Sequence, residues 1–451
     1  MKKKLTTLIL SSVWTCVVFA QTNPAITSWL QNTTKTGTYY MSGNSTAISN
    51  GILVNCQKVE FSATSVYVST KGIPAYPVGP YLDRNPNQAG DQNAIFKFPL
   101  TPTVNTGTKT ATTGGNIGVF INGVALFDYR DGVNWSNSLN TTQGGPGGGT
   151  GDGVWNRDAI LAERVGFDCA KGHPAGTNYH HHQNPSAFKL DLNVLSNVCN
   201  LYASDGLYVI NATQHSPLLG FAYDGFPIYG AYAYKNADGT GGFTRMKSSY
   251  QLRNITVRTH WADGTDVLDG PPVNATYPLG YFREDYEFII RTGQTDYLDV
   301  HNGRFCKTPE YPNGIYCYFA TVDSVHNSTY PYVIGPTFYG VRTNAKVTAV
   351  NETVTTYTRT PTKELVLNDL NISIFPNPSA DLIAVQIDDL VKDDYTVELL
   401  DMTGKLLQTT KINKGSTIAY FDTQSLYSGT YVVKISNGIA QTTRKVVIQK
   451  D

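Results

Sequence analysis

The chain has 451 residues, with 35 Lys plus Arg against 35 Asp plus Glu and a formal net charge of zero. That balance excludes the basic excess of a nucleic-acid binder, and the length exceeds one ordinary domain, which predicts two or more folded units. Only 16% of residues are charged, while Gly numbers 41 and Tyr 29, a composition that suits a β-rich extracellular protein better than a helical cytosolic enzyme.

The N-terminus predicts a signal peptide over residues 1–20. Lys2, Lys3 and Lys4 precede an apolar stretch from Leu5 to Phe19, and Val18-Phe19-Ala20 fits a small-residue cleavage site. No later segment is long and apolar enough to span a bilayer. Beyond Cys16 five cysteines remain, at 56, 169, 199, 306 and 317. An oxidising compartment favours disulfides, and the odd number leaves at least one thiol without an internal partner. Cys306 with Cys317 is the expected pair across the Pro312–Gly314 turn, and Cys169 with Cys199 is a second candidate.

From Gln21 onward the text reads as mainly β, with residues 21–114 forming an N-terminal β-rich part of the main domain and residues 115–345 the remainder. Short apolar runs such as Ser65 to Ser69, Ile117 to Phe127 and Glu287 to Arg291 are bounded by Gly, Pro, Asn and Asp. One stretch, Asn156 to Val165, has helical spacing through Ile160, Leu161 and Val165. Gly144 to Gly153 is a Gly-rich loop that lacks the Lys-Ser/Thr ending of a phosphate-binding loop. A Thr-rich segment at 346–366 reads as an extended tether.

After the tether, residues 367–451 alternate in short runs such as Leu382 to Ile387 and Tyr395 to Leu400, with Gly404, Gly415 and Gly429 at the turns. About seven short strands predict a small Ig-like β-sandwich. Four motifs stand in order here: Phe375-Pro376-Asn377-Pro378-Ser379, Asp401-Met402-Thr403-Gly404-Lys405, Leu426 to Tyr431, and Lys445-Val446-Val447-Ile448. Together they closely resemble the C-terminal sorting domain of the type IX secretion system. The resemblance implies a Bacteroidetes-type source, the type IX machinery as partner, and an extracellular or cell-surface destination.

All eight histidines lie between 173 and 326. The densest run is Gly172-His173-Pro174 followed by Tyr179-His180-His181-His182. On an extended segment His180 and His182 share one face and His181 takes the other, while a turn over Pro174 to Thr177 brings His173 back beside them. Three imidazoles around one point suit a transition metal, zinc or copper among them, with an open position. Expected ligands are therefore His180 and His182, with His173 and His215 assisting. A buried hydrogen-bond network is the other reading of the same pattern.

The run also carries a second resemblance. With Asn184-Pro185, the stretch from His215 to Gly230 (HSPLLGFAYDGFPIYG), Asn302-Gly303-Arg304, Thr308 to Pro312 and Tyr332 to Pro336, it resembles the YHYH domain family of secreted bacterial proteins over about Gly115 to Gly340. The third letter of that family's name, Tyr, is His181 here. The resemblance names a domain without naming a reaction. Within its matching pieces Asp224 reads as a turn former or a site carboxylate, Tyr229 as a pocket or packing residue, and Arg304 with Glu310 as an ion pair or an anion contact. Asp299 and His301 are candidates for outer-shell partners. No glycosidase-like carboxylate pair, G-x-S-x-G elbow or H-E-x-x-H helix occurs in the mature chain. The competing reading is a binding module for extracellular carbohydrate or polymer, with Tyr229 and Trp261 stacking on sugar rings.

Overall fold

Alternating apolar residues between Cys56 and Pro99 build three antiparallel strands, Cys56–Phe61, Ser65–Thr70 and Ala94–Pro99, in the computed structural model of the chain. The structure describes residues 23–145, 148–187, 206–342, 345–358, 365–366, 372–387, 394–402, 404–437 and 440–450. The expected signal peptide and Cys199 lie outside the described residues. The chain divides into two compact units, residues 1–357 and 358–451.

In the first unit those three strands are flanked by Lys346–Val347 on one edge and Thr355–Tyr357 on the other, giving a five-stranded sheet. The start of the Thr-rich stretch is thus sheet edge and not tether. Thr and Tyr suit a pleated, half-buried surface, and an edge strand needs only one partner for its backbone. Within that stretch, residues 359–364 lie outside the described residues.

The second sheet of this unit has eight strands. In spatial order they are His173–Ala175, Asn178–His181, Ala125–Phe127, Asn116–Phe120, Leu218–Ala222, Pro227–Tyr229, Ile315–Phe319 and Gly303–Cys306. Two of its pairings are parallel, Asn178–His181 with Ala125–Phe127 and Pro227–Tyr229 with Ile315–Phe319. One apolar core runs through both sheets. Val59, Val68 and Phe98 from the first pack in the same cluster as Phe120, Phe221 and Tyr318 from the second. Trp29 seals it, stacked 5.5 Å from Phe98 and tilted 5.3 Å from Phe221, with its indole N–H donating to Ala25 O at 2.7 Å. Residues 23–114 are therefore built into this core.

The predicted helix at Asn156 to Val165 is shorter than its spacing suggests. Asn156–Asp158 is a strand, Ala159–Glu163 is one helical turn, and a 3₁₀ turn follows at Arg164–Gly166. Asp158 sets the start: its backbone is extended, and its carboxylate accepts from Ile160 N at 2.8 Å and Leu161 N at 3.2 Å, satisfying two end donors.

Cys306 and Cys317 carry free thiols, as does Cys56, whereas Cys169 does not. The expected Cys306–Cys317 disulfide is not formed in the structure. Cys306 faces Ile315, and Cys317 faces Arg304. The two cysteines are diagonal neighbours across the antiparallel pair, with their thiols within hydrogen-bonding reach of each other.

The second unit is mainly β, as its alternation predicts. Leu365–Val366, Ala440–Ile448, Gly429–Ser436, Tyr395–Leu400 and Leu406–Ile412 form one sheet; Ile372–Phe375, Leu382–Ile387 and Ile418–Asp422 form the other. Inward residues Ile383, Val385, Val397, Leu399, Val433 and Ile435 are fully buried between them, the arrangement of a small sandwich.

Candidate metal centre

The turn after Ala175 folds two short strands together so that His173 pairs directly with His180, Pro174 with Tyr179 and Ala175 with Asn178. Period-two alternation then does what the sequence predicts. His180 and His182 present their rings to one side, with their Nε2 atoms 3.0 Å apart. His181 turns the other way, fully buried, against Tyr76 Oη at 2.8 Å and Lys171 O at 3.1 Å. Burial pushes its pKa down to about 3, so it stays neutral.

A fourth group closes the site: Glu163, at the end of the helical turn that Asp158 caps. Its Oε2 lies 3.1 Å from His173 Nε2 and 3.0 Å from His182 Nε2. One ligand atom from each of Glu163, His173, His180 and His182 falls within 4.8 Å of all the others, so the group could hold a metal ion. Among the described residues no other such cluster of His, Cys, Asp or Glu occurs. A tetrahedral ion with bonds of about 2.0–2.1 Å sets its ligand atoms about 3.3 Å apart, close to three of the six separations here, 3.0–3.1 Å, while the others lie within 4.8 Å.

The imidazoles are held from behind. His180 Nδ1 meets Asn178 O at 2.9 Å and His182 Nδ1 meets Asp128 O at 2.5 Å. A backbone carbonyl only accepts, so both Nδ1 atoms carry the proton and both Nε2 lone pairs face inward. Two lone pairs 3.0 Å apart repel unless a cation or a proton lies between them. Glu163 Oε2 and His173 Nε2 add to the imbalance: both are buried and neither makes a hydrogen bond of proper geometry. The two atoms face each other at 3.1 Å, close enough for electrostatic pairing though not aligned for a hydrogen bond.

Electrostatics follow the same layout. Burial, with the neighbouring imidazoles, holds His180 well below its ordinary value. Burial also works against a proton on His182, but the Glu163 carboxylate beside it outweighs that and raises it. Burial would push the Glu163 carboxyl up, yet His182 and His173 hold it well below the carboxylate range. Phe127 stacks on His180 at 3.7 Å and Phe167 meets His173 edge-on at 5.0 Å, fixing both ring planes.

Two supports lie outside the cluster. Asp168, fully buried, accepts from Gly79 N, Ala170 N, Gly172 N and Tyr179 Oη at 2.9–3.0 Å, fixing the turn that delivers His173. Gly172 is required there, because a Cβ would sit 2.3 Å from Tyr179 Oη and 2.9 Å from His181 Cε1. The four groups line the floor of a cavity of about 700 Å³.

The other predicted residues are elsewhere. His215 is not a fourth ligand: its Nδ1 engages Ser216 O at 2.7 Å, and its ring packs between Tyr229 and Tyr234. Tyr229 is fully buried, donating to Glu310 Oε2 at 2.8 Å, with Thr308 Oγ1 also at 2.8 Å. Arg304 bonds the carbonyls of Thr295, Lys235 and Tyr234 and makes no ion pair with Glu310. The reason is strand order. His180 is on the second strand of the eight-stranded sheet and Tyr229 on the sixth, roughly 19 Å away at about 4.8 Å per strand. His301 bonds Thr337, and Asp299 accepts from Tyr316 Oη, so neither backs the histidines. Glu163 was missed because one carboxylate ten residues before His173 carries no local signature.

Asp224 is a structural carboxyl, fully buried, accepting from Tyr318 Oη at 2.6 Å, Gly340 N at 2.8 Å and Phe226 N at 3.3 Å. Burial pushes its pKa up to about 6 against the pull of those donors. Its folded value exceeds the unfolded one, near 3.9, so its contribution to stability is full below about pH 4 and is lost as pH rises through about 6. The stability gap between wild type and Asp224→Asn is expected to shrink by about 2–3 kcal/mol from pH 4 to pH 7. Urea unfolding at both pH values measures this; a gap constant or widening with pH contradicts it.

No curated protein matches the chain. One solved structure, dimeric latent PorU from Porphyromonas gingivalis, matches at 19% identity over 18% of this chain and 9% of its own, with a TM-score of 0.15. The secretion system C-terminal sorting domain model matches residues 373–449, which marks the protein for type IX secretion to the cell surface or extracellular space. The YHYH protein model matches residues 95–331, more than half of the 451 residues and inclusive of the histidine hairpin; the chain belongs to the YHYH protein family.

Proposed function

We propose that this is an exported metalloprotein whose main unit holds one divalent transition-metal ion, zinc or copper, on His173, His180, His182 and Glu163. Three imidazole nitrogens and one carboxylate oxygen form a borderline donor set suited to either ion. The supporting observation is the pair of inward Nε2 lone pairs 3.0 Å apart, in a cluster whose four ligand atoms all lie within 4.8 Å of one another. The bound ion would act as a Lewis acid at the cavity floor. Glu163, a quarter exposed, would be the ligand facing the cavity. Residues 367–451 carry the address read by the type IX machinery.

The carbohydrate-binding reading loses its main residue, since buried Tyr229 has no face to offer a sugar. The test is metal content of full-length protein purified without a histidine tag. About one zinc or copper per chain is expected, removable by a strong chelator. A metal-free protein that takes up neither ion on dialysis sinks the proposal.

A further inference from the structure

The cavity above the histidines has two arginines fixed on its wall. Arg130 and Arg157 line its wall, and each is anchored from behind by a buried carboxylate. Arg130 Nε donates to Asp128 Oδ1 at 2.5 Å and its Nη2 to Thr112 O at 2.5 Å. Arg157 Nε donates to Asp131 Oδ2 at 2.5 Å, and its guanidinium also hydrogen-bonds the Tyr281 side chain. Asp128 and Asp131 side chains are 0% and 1% exposed. Each guanidinium is therefore held at two points, Arg130 by Asp128 and Thr112 and Arg157 by Asp131 and Tyr281, and only its remaining N–H donors are left for the cavity. A guanidinium fixed along one edge is a preorganised partner for an oxyanion, which it can meet with paired N–H donors.

Charge adds a condition. Arg84, Arg130 and Arg157 line the cavity with Asp83, Asp131 and Glu163. With Asp128 counted behind Arg130, four carboxylates face three arginines, a sum of −1. A divalent ion changes that sum to +1 and places the positive charge at the floor. Anion binding should thus depend on the metal.

Resting on the metal reading above, we infer that the cavity takes a small molecule or sugar bearing an oxyanion, carboxylate or phosphoryl, held between the Arg130 and Arg157 guanidiniums and the ion. Phe127, already stacked on His180, supplies an apolar wall for the body of such a ligand.

The test is calorimetry on the full chain, zinc-loaded and metal-free, with three probes: inorganic phosphate, glucuronate and neutral glucose. Phosphate, glucuronate or both should bind the loaded protein at least tenfold more tightly than glucose does, and the metal-free protein only weakly. The tighter of the two names the anion. Arg157→Gln should weaken that binding at least tenfold while leaving zinc affinity unchanged; if it does not fold, Arg157→Lys replaces it and should weaken binding in the same direction. A loaded protein that ignores both anions, prefers glucose, or binds them equally well after the Arg157 change overturns the inference. Zinc loading, measured first, separates that failure from failure of the metal site.

Discussion

Adding zinc to the metal-free protein is expected to raise its unfolding free energy by about 4 kcal/mol once free ion stands a thousandfold above the dissociation constant. The reason is mass action: the unfolded chain does not hold His173, His180, His182 and Glu163 within 4.8 Å of each other, so the ion binds the folded state selectively. His180→Ala or His182→Ala should abolish most of the gain and weaken affinity by more than the roughly 10–100-fold typical of losing an outer-shell partner. Glu163→Gln should fall between, because three nitrogens remain. Thermal or urea unfolding with and without zinc reads all three. The competing account is a proton: His182 as an imidazolium paired with Glu163 and donating to His180. In that case zinc leaves wild-type stability unchanged, and the histidine variants lose stability equally in its presence and absence.

Asp168→Ala should cost about 4 kcal/mol or more. Its carboxylate is the acceptor for three backbone amides and the Tyr179 hydroxyl, all buried. Removing it strands four donors, each worth about 1–3 kcal/mol when left unsatisfied, with partial relaxation. Because Gly172 N is one of those donors, the His173 end of the hairpin loosens as well. Metal affinity should drop although no ligand has changed. Asp168→Asn should be milder, since an amide oxygen still accepts, though its NH₂ then faces one of the donors. Urea unfolding paired with zinc titration checks both effects. A loss under about 1 kcal/mol for the alanine variant would mean the turn is held by something else.

The sequence by itself determined what depends on neighbours along the chain. Alternation fixed the β class of both units and set His180 and His182 on one face with His181 on the other, because successive side chains of a strand point oppositely. The turn at Pro174–Thr177 returned His173 for the same local reason. Motif order in residues 375–448 identified the sorting domain. Tertiary structure alone decided the rest. It supplied Glu163 from a helical turn outside the hairpin, and it carried His215, Tyr229, Arg304 and Glu310 to the far side of an eight-stranded sheet. It also drew the Thr-rich edge at 346–357 into the first unit and offset Cys306 from Cys317 by one diagonal. Strand order and register are set by which faces must be buried together, a global balance of packing that no local spacing records.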